Sequence, residues 1–535
     1  MKTTSTGTRG TLVAPLALLA VVIVAAAVAL ALGSSSSSPI PSPIRVGGSA
    51  FPGVEESNQR DVGGPIDSRS LTKLEVAWTL ALPGVSSYGA YASTPVVSDG
   101  VVYSQELDSN VEAIDLKSGK VLWKTTFDAP DEGPNGVTVA AGRVYGATSS
   151  AAFALDQRTG RRLWSVTLTH SHTAGIDMAP GYHDGLVYVS TVPVTATSQY
   201  AGGDVGVLWA LDASTGRSVW KFNTITQSGA GGPRSTGGPR STGGPRDAGG
   251  GGGGLWYTPA FDDSGSMYFG VGNPTPFPGT GRAPWGSSRP GPNLYSDSIV
   301  KLNARTGRLE WYYQLTPHDL YDWDLQDPPI LLDSAGRELV AIAGKGGIVL
   351  ALDAATGRVA WRRPVGIHNG HDHDGVYAMK GEYARLRTPA TIYPGLLGGV
   401  IAPMSTNGSE LFVPVVNHSA TVVSPSEVTE RSRVSTGELV ALSVRNGEVA
   451  WRRKLRGPPF GATEAVNDIV LATTFKGELL AFDAADGREL WGAQLPDGTN
   501  AGLTAAGNML LVPAGIAIAR HDVPRLIALR LPGAE

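Results

Sequence analysis

The stretch VEAIDLKSGKVLW, residues 111–123, decides the fold. An apolar run ends at Asp115, a short polar stretch follows, and Gly119 stands four residues before Trp123. The pattern returns as AFALDQRTGRRLW ending at Trp164, LWALDASTGRSVW at Trp220 and IVKLNARTGRLEW at Trp311. It recurs as VLALDAATGRVAW at Trp361, LVALSVRNGEVAW at Trp451 and LLAFDAADGRELW at Trp491. Internal repetition of this kind sets the architecture before any local detail does. The apolar run reads as a strand, and the D-x-x-T-G stretch as a turn. There Asp accepts bonds from turn amides and Gly supplies a positive φ. The residues after Gly return as the next strand, and the Trp ring packs between neighbouring sheets.

Upstream of each copy lies a second hairpin, such as STPVVSDGVVYSQ (93–105) or AVNDIVLATTFKG (465–477), so each repeat holds four strands. One small sheet cannot bury both its faces, so copies must stack. With no helical spacers the stacking is radial, which predicts an all-β propeller. LIALRL (526–531) and KLEVAWTLAL (73–82), with Trp78 in the motif position, predict an eighth blade closed from both ends of the chain. The expectation is eight blades, with seven as the fallback.

The 535 residues include 41% apolar and 17% charged residues, a globular balance. Seventy Gly and 37 Pro suit short strands and tight turns rather than long helices. The net charge of −4 comes with no basic stripe, so nucleic acid is not expected as a partner. The chain has no cysteine, which excludes disulfides, thiolate metal sites, a cysteine nucleophile and covalent c-type haem.

Residues 11–32 form a 22-residue uncharged apolar run, long enough to span a bilayer core. Lys2 and Arg9 precede it, and no positive charge follows before Arg45. That bias predicts a cytoplasmic N-terminus and an exported body. The reading is an anchor or signal helix within 1–33, then a Ser/Pro-rich linker over 34–60 and a propeller over 61–535. Cleavage of the helix would make the protein secreted or periplasmic; retention would leave it on the membrane. The run GGPRSTGGPRSTGGPRDAGGGGGG (231–254) is expected to be a disordered insert.

The Trp-ended repeat resembles the tryptophan-docking motif of the pyrroloquinoline-quinone-dependent dehydrogenases, and the likeness covers nearly all of the expected exported chain. Residues 255–347 resemble the family further. LWYTPAFDDSGSMYFGVGNPTPFPG opens the stretch, SSRPGPNLYSDSIVKLNARTGRLEWYYQLTPHDLYDWDLQDPP continues it, and GKGG ends it. The family order is a Trp, a G-x-G-N-P element, a docking motif, a T-P-H-D-x-x-D element and a Lys or Arg near Gly. Here those positions are Trp256, Asn273, Asp322 and Lys345. The resemblance implies Trp256 as floor for the quinone ring, Lys345 as donor to quinone oxygens and Asp322 as general base. It implies Asn273 as a metal ligand, joined by Asp324 through the D-x-D spacing, with calcium or a lanthanide as the ion. The implied activity is oxidation of an alcohol or sugar, with electrons leaving to a separate acceptor.

Two family carboxylates are missing. The metal-site Glu has no counterpart in PVTATSQYAGGDVGVLWALD (193–212), where Asp204 is the only acid before the docking motif. The first-blade Glu is replaced in the run Tyr91, Ala92, Ser93, Thr94, Pro95. A hard ion wants several charged oxygen ligands, so each loss weakens a metal site. These gaps keep a second expectation open, a non-catalytic propeller serving as a cell-envelope binding or assembly scaffold. GIHNGHDHDG (366–375) clusters His368, His371 and His373 with two Asp. It reads as a polar loop, with metal binding as the alternative. His318 is expected to orient backbone rather than to catalyse.

Overall fold

The computed structural model describes residues 51–84, 93–193, 203–225, 250–430, 435–515 and 523–533. The apolar segment 11–32, Tyr91 and Ala92, and most of the Gly/Pro insert lie outside the described residues. Among the described residues no helix is long and apolar enough to cross a membrane.

Among the described residues, eight sheets with antiparallel four-stranded meanders carry the repeat. The first runs Val96–Ser98, Val101–Gln105, Val111–Asp115 and Val121–Thr125 in chain order. Six more follow, each a meander of the same kind. The eighth joins the two ends of the chain. Glu75–Ala81 pairs with Arg525–Arg530, which pairs with Met509–Ala514, which pairs with Thr504–Ala506. The architecture is of the propeller type.

Neighbouring repeats lock together through a recurring device. Asp156 Oδ1 accepts from the Thr159 amide at 2.9 Å and the Thr159 hydroxyl at 2.6 Å. Gly160 then takes φ +70°, which an L side chain resists. That glycine lies against the indole of the preceding repeat, where a Cβ would stand 2.5 Å from Trp123 Cε3. The same indole donates from Nε1 to the Gln157 carbonyl at 3.1 Å. Trp164, Trp220, Trp311 and Trp451 donate to Ala213, Ala304, Ala354 and Ala484 in the same register, and Trp78 donates to Leu116. Turn and indole are thus one device. The turn needs Gly for its φ, and the neighbouring Trp needs Gly for the space.

Two expected boundaries are corrected. The segment Phe51–Arg60 is not linker but packed chain. Asn58 Nδ2 donates to the Thr258 and Pro329 carbonyls, and Arg60 donates to Thr463 and Leu503 and pairs with Glu464 at 3.2 Å. Asp61–Val62 then adds a parallel strand to the sheet at Ala465–Val466. The polar side chains of this segment satisfy carbonyls from several sheets, which a solvated linker cannot do. The end of the Gly-rich insert is also ordered. Gly251–Gly252 pairs with Pro274–Thr275, and Gly251–Gly254 are buried.

A smaller sheet, Ala390–Ile392, Ala420–Ser424 and Glu427–Thr429, stands apart from the repeats. It shares an apolar cluster with Phe277, Trp285, Leu320, Tyr321 and Trp323. This cap therefore rests on the T-P-H-D element.

Candidate active site

The five residues singled out in the sequence meet at one place. The strand Ser266–Gly270 leads into Gly272 and Asn273. Gly272 donates its amide to the Gly254 carbonyl, and Gly253 donates to the Asn273 carbonyl, so two glycine-rich backbones run side by side. The approach leaves no room for side chains. A Cβ on Gly272 would stand 2.9 Å from Asp324 Oδ1 and 3.1 Å from Trp256 Nε1. Trp256 is half-buried and is none of the repeat indoles that dock between sheets.

The T-P-H-D element is bent sharply. His318 and Asp322 both take left-handed backbone, at φ +59° and +60°. Non-glycine residues held there carry strain that surrounding contacts must offset. Asp319 supplies one such contact, accepting the Tyr321 amide at 3.1 Å and the Trp323 amide at 2.9 Å. His318 supplies another. Its Nδ1 faces the Gly291 carbonyl at 2.9 Å and its Nε2 the Trp285 carbonyl at 3.0 Å. The orienting role expected for His318 is what these contacts describe.

The turn delivers two carboxylates to one ammonium. Lys345 Nζ lies 2.8 Å from Asp322 Oδ2 and 2.6 Å from Asp324 Oδ2. Asp324 Oδ1 accepts the Asn273 amide at 2.6 Å. The side chains of Lys345, Asp322 and Asp324 are 12%, 17% and 0% exposed, so solvent screens the charges little. Burial pushes the Asp322 carboxyl well above the usual carboxylate range, with Lys345 opposing and Asp324 adding to the rise. Burial works against the Lys345 charge, but Asp322 and Asp324 together hold its pKa above the ordinary value. Lys345 remains an ammonium at any working pH.

Asp204 does not join this group. Its carboxylate accepts from the Ser171 and Thr173 hydroxyls, and its carbonyl accepts the Gly252 amide. Three buried groups near the site were not foreseen. Asp319 could have been read from its place in the P-H-D element. Asp297 is fully buried, and neither carboxylate oxygen has a hydrogen-bond partner in the structure. Burial raises its pKa first, with Asp319 and Asp324 adding to the rise. Arg289 is buried beneath the turn, donating to the Pro276 and Asp319 carbonyls. No spacing in the sequence singles out Asp297 or Arg289.

The residues present fit a flat cofactor lying beside Trp256, with an ammonium shared between two carboxylates at its edge. A half-buried indole, a backbone trough that tolerates no Cβ and a buried ammonium supply an aromatic surface, clearance and a hydrogen-bond donor. Among the described residues no three His, Cys, Asp or Glu side chains are placed to hold a metal ion. The His-rich stretch 366–375 accordingly gathers no metal set. Its histidines pair with single carboxylates, His368 with Asp372 at 2.6 Å and His371 with Asp374 at 2.8 Å.

Residues 63–364 match the model of the glucose/ethanol/alcohol dehydrogenase β-propeller domain, and residues 401–532 match that of the outer membrane protein assembly factor BamB. The quinohemoprotein alcohol dehydrogenase of Comamonas testosteroni is 28% identical over 506 residues, covering 84% of this chain and 68% of the relative. The quinohemoprotein alcohol dehydrogenase ADH-IIG of Pseudomonas putida is 27% identical over 487 residues, covering 83% of this chain and 63% of the relative. The chain thus spans about two thirds of their length. The solved Comamonas testosteroni enzyme superposes with a TM-score of 0.75 at 23% identity, over 96% of this chain and 85% of that one. A europium-containing methanol dehydrogenase superposes with a TM-score of 0.73 at 18% identity, over 91% and 98%. At those identities the superpositions speak for the fold, and the family model, which spans more than half of the chain, speaks for descent. The chain belongs to the glucose/ethanol/alcohol dehydrogenase β-propeller family of quinoproteins.

Proposed function

We propose that this chain is an exported quinoprotein dehydrogenase that oxidises an alcohol or sugar, with pyrroloquinoline quinone held against Trp256. The observation that carries the reading is the linked set Asn273–Asp324–Lys345–Asp322 beside a half-buried indole. Its eight sheets are taken as eight blades of one ring, and the segment 11–32 as a membrane tether or signal. When bound, the quinone supplies the acceptor for a hydride.

The chain's own residues do the rest. Asp322 takes the proton of the substrate hydroxyl while the adjacent C–H bond leaves with its electron pair, so that a C=O double bond forms. A base for this step works best with a pKa near the working pH, which the upward shift of Asp322 favours. Lys345 holds the Asp322 carboxylate in place and lends positive charge where oxygen becomes more negative. Trp256 and the glycine trough orient the plane of the ring. Asn273 and Asp324 are the ligands this chain offers to calcium or a lanthanide, and such an ion would compete with Lys345 for Asp324. With no Cys among these 535 residues to hold a covalent haem, a separate acceptor takes the electrons in this reading.

A second reading, a cell-envelope scaffold, is favoured by the match of residues 401–532 to the BamB model and by the absent acids. Reconstitution separates the two. The full chain in detergent is loaded with quinone plus calcium or a lanthanide, and dye reduction is followed across a panel of alcohols and sugars. Asp322→Asn is expected to lower turnover by about 100-fold or more, the scale of general-base loss, with quinone still bound. Wild-type protein that reduces no dye under any ion speaks for the scaffold, and an Asp322→Asn variant at full rate removes the base.

A further inference from the structure

The histidine-rich stretch 366–375 has no role in the chemistry above, yet it reaches both segments that carry it. On one side, the Tyr321 hydroxyl donates to Asp374 Oδ2 at 2.7 Å, and His371 Nδ1 lies 2.8 Å from the same oxygen. Tyr321 immediately precedes Asp322. The contact is tight in backbone as well as side chain. A Cβ on Gly375 would stand 2.6 Å from the His318 carbonyl oxygen and 2.8 Å from that of Pro317. On the other side, His368 Nε2 lies 3.2 Å from the Gly347 carbonyl and 3.1 Å from that of Val365, while its Nδ1 faces Asp372 at 2.6 Å. Gly347 is two residues past Lys345, and Val365 donates its amide to the Gly347 carbonyl. The cap adds a third hold, with Trp323 Nε1 donating to the Pro394 carbonyl at 3.1 Å.

We propose that Tyr321, Asp374 and His371 are positioning residues that set where the Asp322 carboxylate stands, and that His368 does the same for Lys345. The proposal rests on the reading of Asp322 as base. Its physical ground is that Asp322 sits in left-handed backbone, a conformation that a free loop would leave. The hydrogen bond from Tyr321 is buried, so it holds the turn without competition from water. The turn and the Lys345 loop already meet through backbone, the Lys345 amide donating to the Asp324 carbonyl at 3.0 Å, so carboxylate and ammonium are free to shift only together, as a unit. Ties from the same insert to both loops set the pair relative to Trp256 and the glycine trough.

The test uses the full chain in detergent with three substitutions. Tyr321→Phe removes one oxygen, Asp374→Asn keeps the shape of the acceptor, and His373→Ala, at an exposed neighbour, is the control. Amide hydrogen exchange over residues 317–325 is expected to quicken about tenfold in the first two, as local opening becomes easier, and to stay at the wild-type rate in the control. With quinone loaded, kcat is expected to fall about 10- to 100-fold, the scale of an ångström misplacement, with KM within about twofold. Quinone affinity, read from the absorbance titration, stays at the wild-type value. Wild-type exchange in Tyr321→Phe overturns the proposal. So does faster exchange with unchanged kcat, because the tie would then serve folding alone. A wild-type protein that neither binds quinone nor turns over defeats the dehydrogenase reading. In that case the exchange rates still decide whether the insert braces the turn.

Discussion

Replacing Lys345 by Met should cost the protein stability in a way that depends on pH. Wild type holds one ammonium between two buried carboxylates at 2.8 and 2.6 Å. Met fills similar volume but leaves Asp322 and Asp324 as uncompensated buried charges. Removing one partner of a buried pair typically costs about 3–5 kcal/mol, and two orphaned partners place this case toward the upper end. The pH dependence follows from sign. In wild type the raised pKa of Lys345 means that its contribution is fully present below the ordinary lysine value and lost only as pH rises through the folded one. Neutral pH therefore lies on the flat part of the Lys345 contribution, while the raised pKa of Asp322 already gives wild type a shallower gain as pH falls. In the variant Asp322 loses the group that held its pKa down, so its ionised form is penalised more, and the protein regains stability as pH falls toward 5. Asp322→Asn added to Lys345→Met should restore more than half of the loss, since the amide needs no counter-charge. Urea unfolding of the full chain between pH 5 and 8 reads all three. A Lys345→Met loss below about 1 kcal/mol at pH 7, or a loss that does not shrink at pH 5, would mean the charges are solvated and the network argument wrong.

Two further outcomes follow from the structure. Gly160→Ala should lose about 2–5 kcal/mol, combining about 1–2 for left-handed backbone with about 1–3 for crowding Trp123. Gly142→Ala, at φ +72° with nothing within 4 Å of its Cβ, should lose only the backbone part; equal losses in thermal melts would refute the docking account. Burial is the largest influence on His368 and lowers its pKa, but the bond and charge of Asp372 together with the Val365 and Gly347 carbonyls raise it to a net value above the ordinary one. Its contribution should be fully present below about pH 6.5 and vanish as pH rises through the folded value, so the melting-temperature gap between wild type and His368→Gln narrows upward in pH, whereas parallel curves contradict it.

The repeat was legible because each of its residues has a local job. Asp115 and Gly119 make a turn wherever they stand, and Trp123 has nowhere to bury its ring except the next sheet. The closing pair 73–82 and 526–531 could be matched because the motif position of Trp78 survives. The site residues were legible only through their order along the chain, since Lys345 and Asp322 alone look like solvated loop charges. What stayed hidden depends on long-range geometry. The segment 51–60 has no period, and its role comes from carbonyls up to 443 residues away, as with Arg60 and Leu503. Asp374 and Tyr321 are 53 residues apart, and no pattern links them until the cap folds over the turn.

In the proposed dehydrogenase the trough beside Trp256 takes a flat quinone. The most direct measurement is a titration of the full chain with pyrroloquinoline quinone, following the cofactor's absorbance, for wild type and Trp256→Ala. Stacking on an aromatic face is worth about 0.5–1.5 kcal/mol beyond the area it covers, so saturable binding is expected in wild type and at least about twofold weaker binding in the variant. Equal affinity in both proteins, or no saturable binding in wild type with calcium or a lanthanide present, would contradict it.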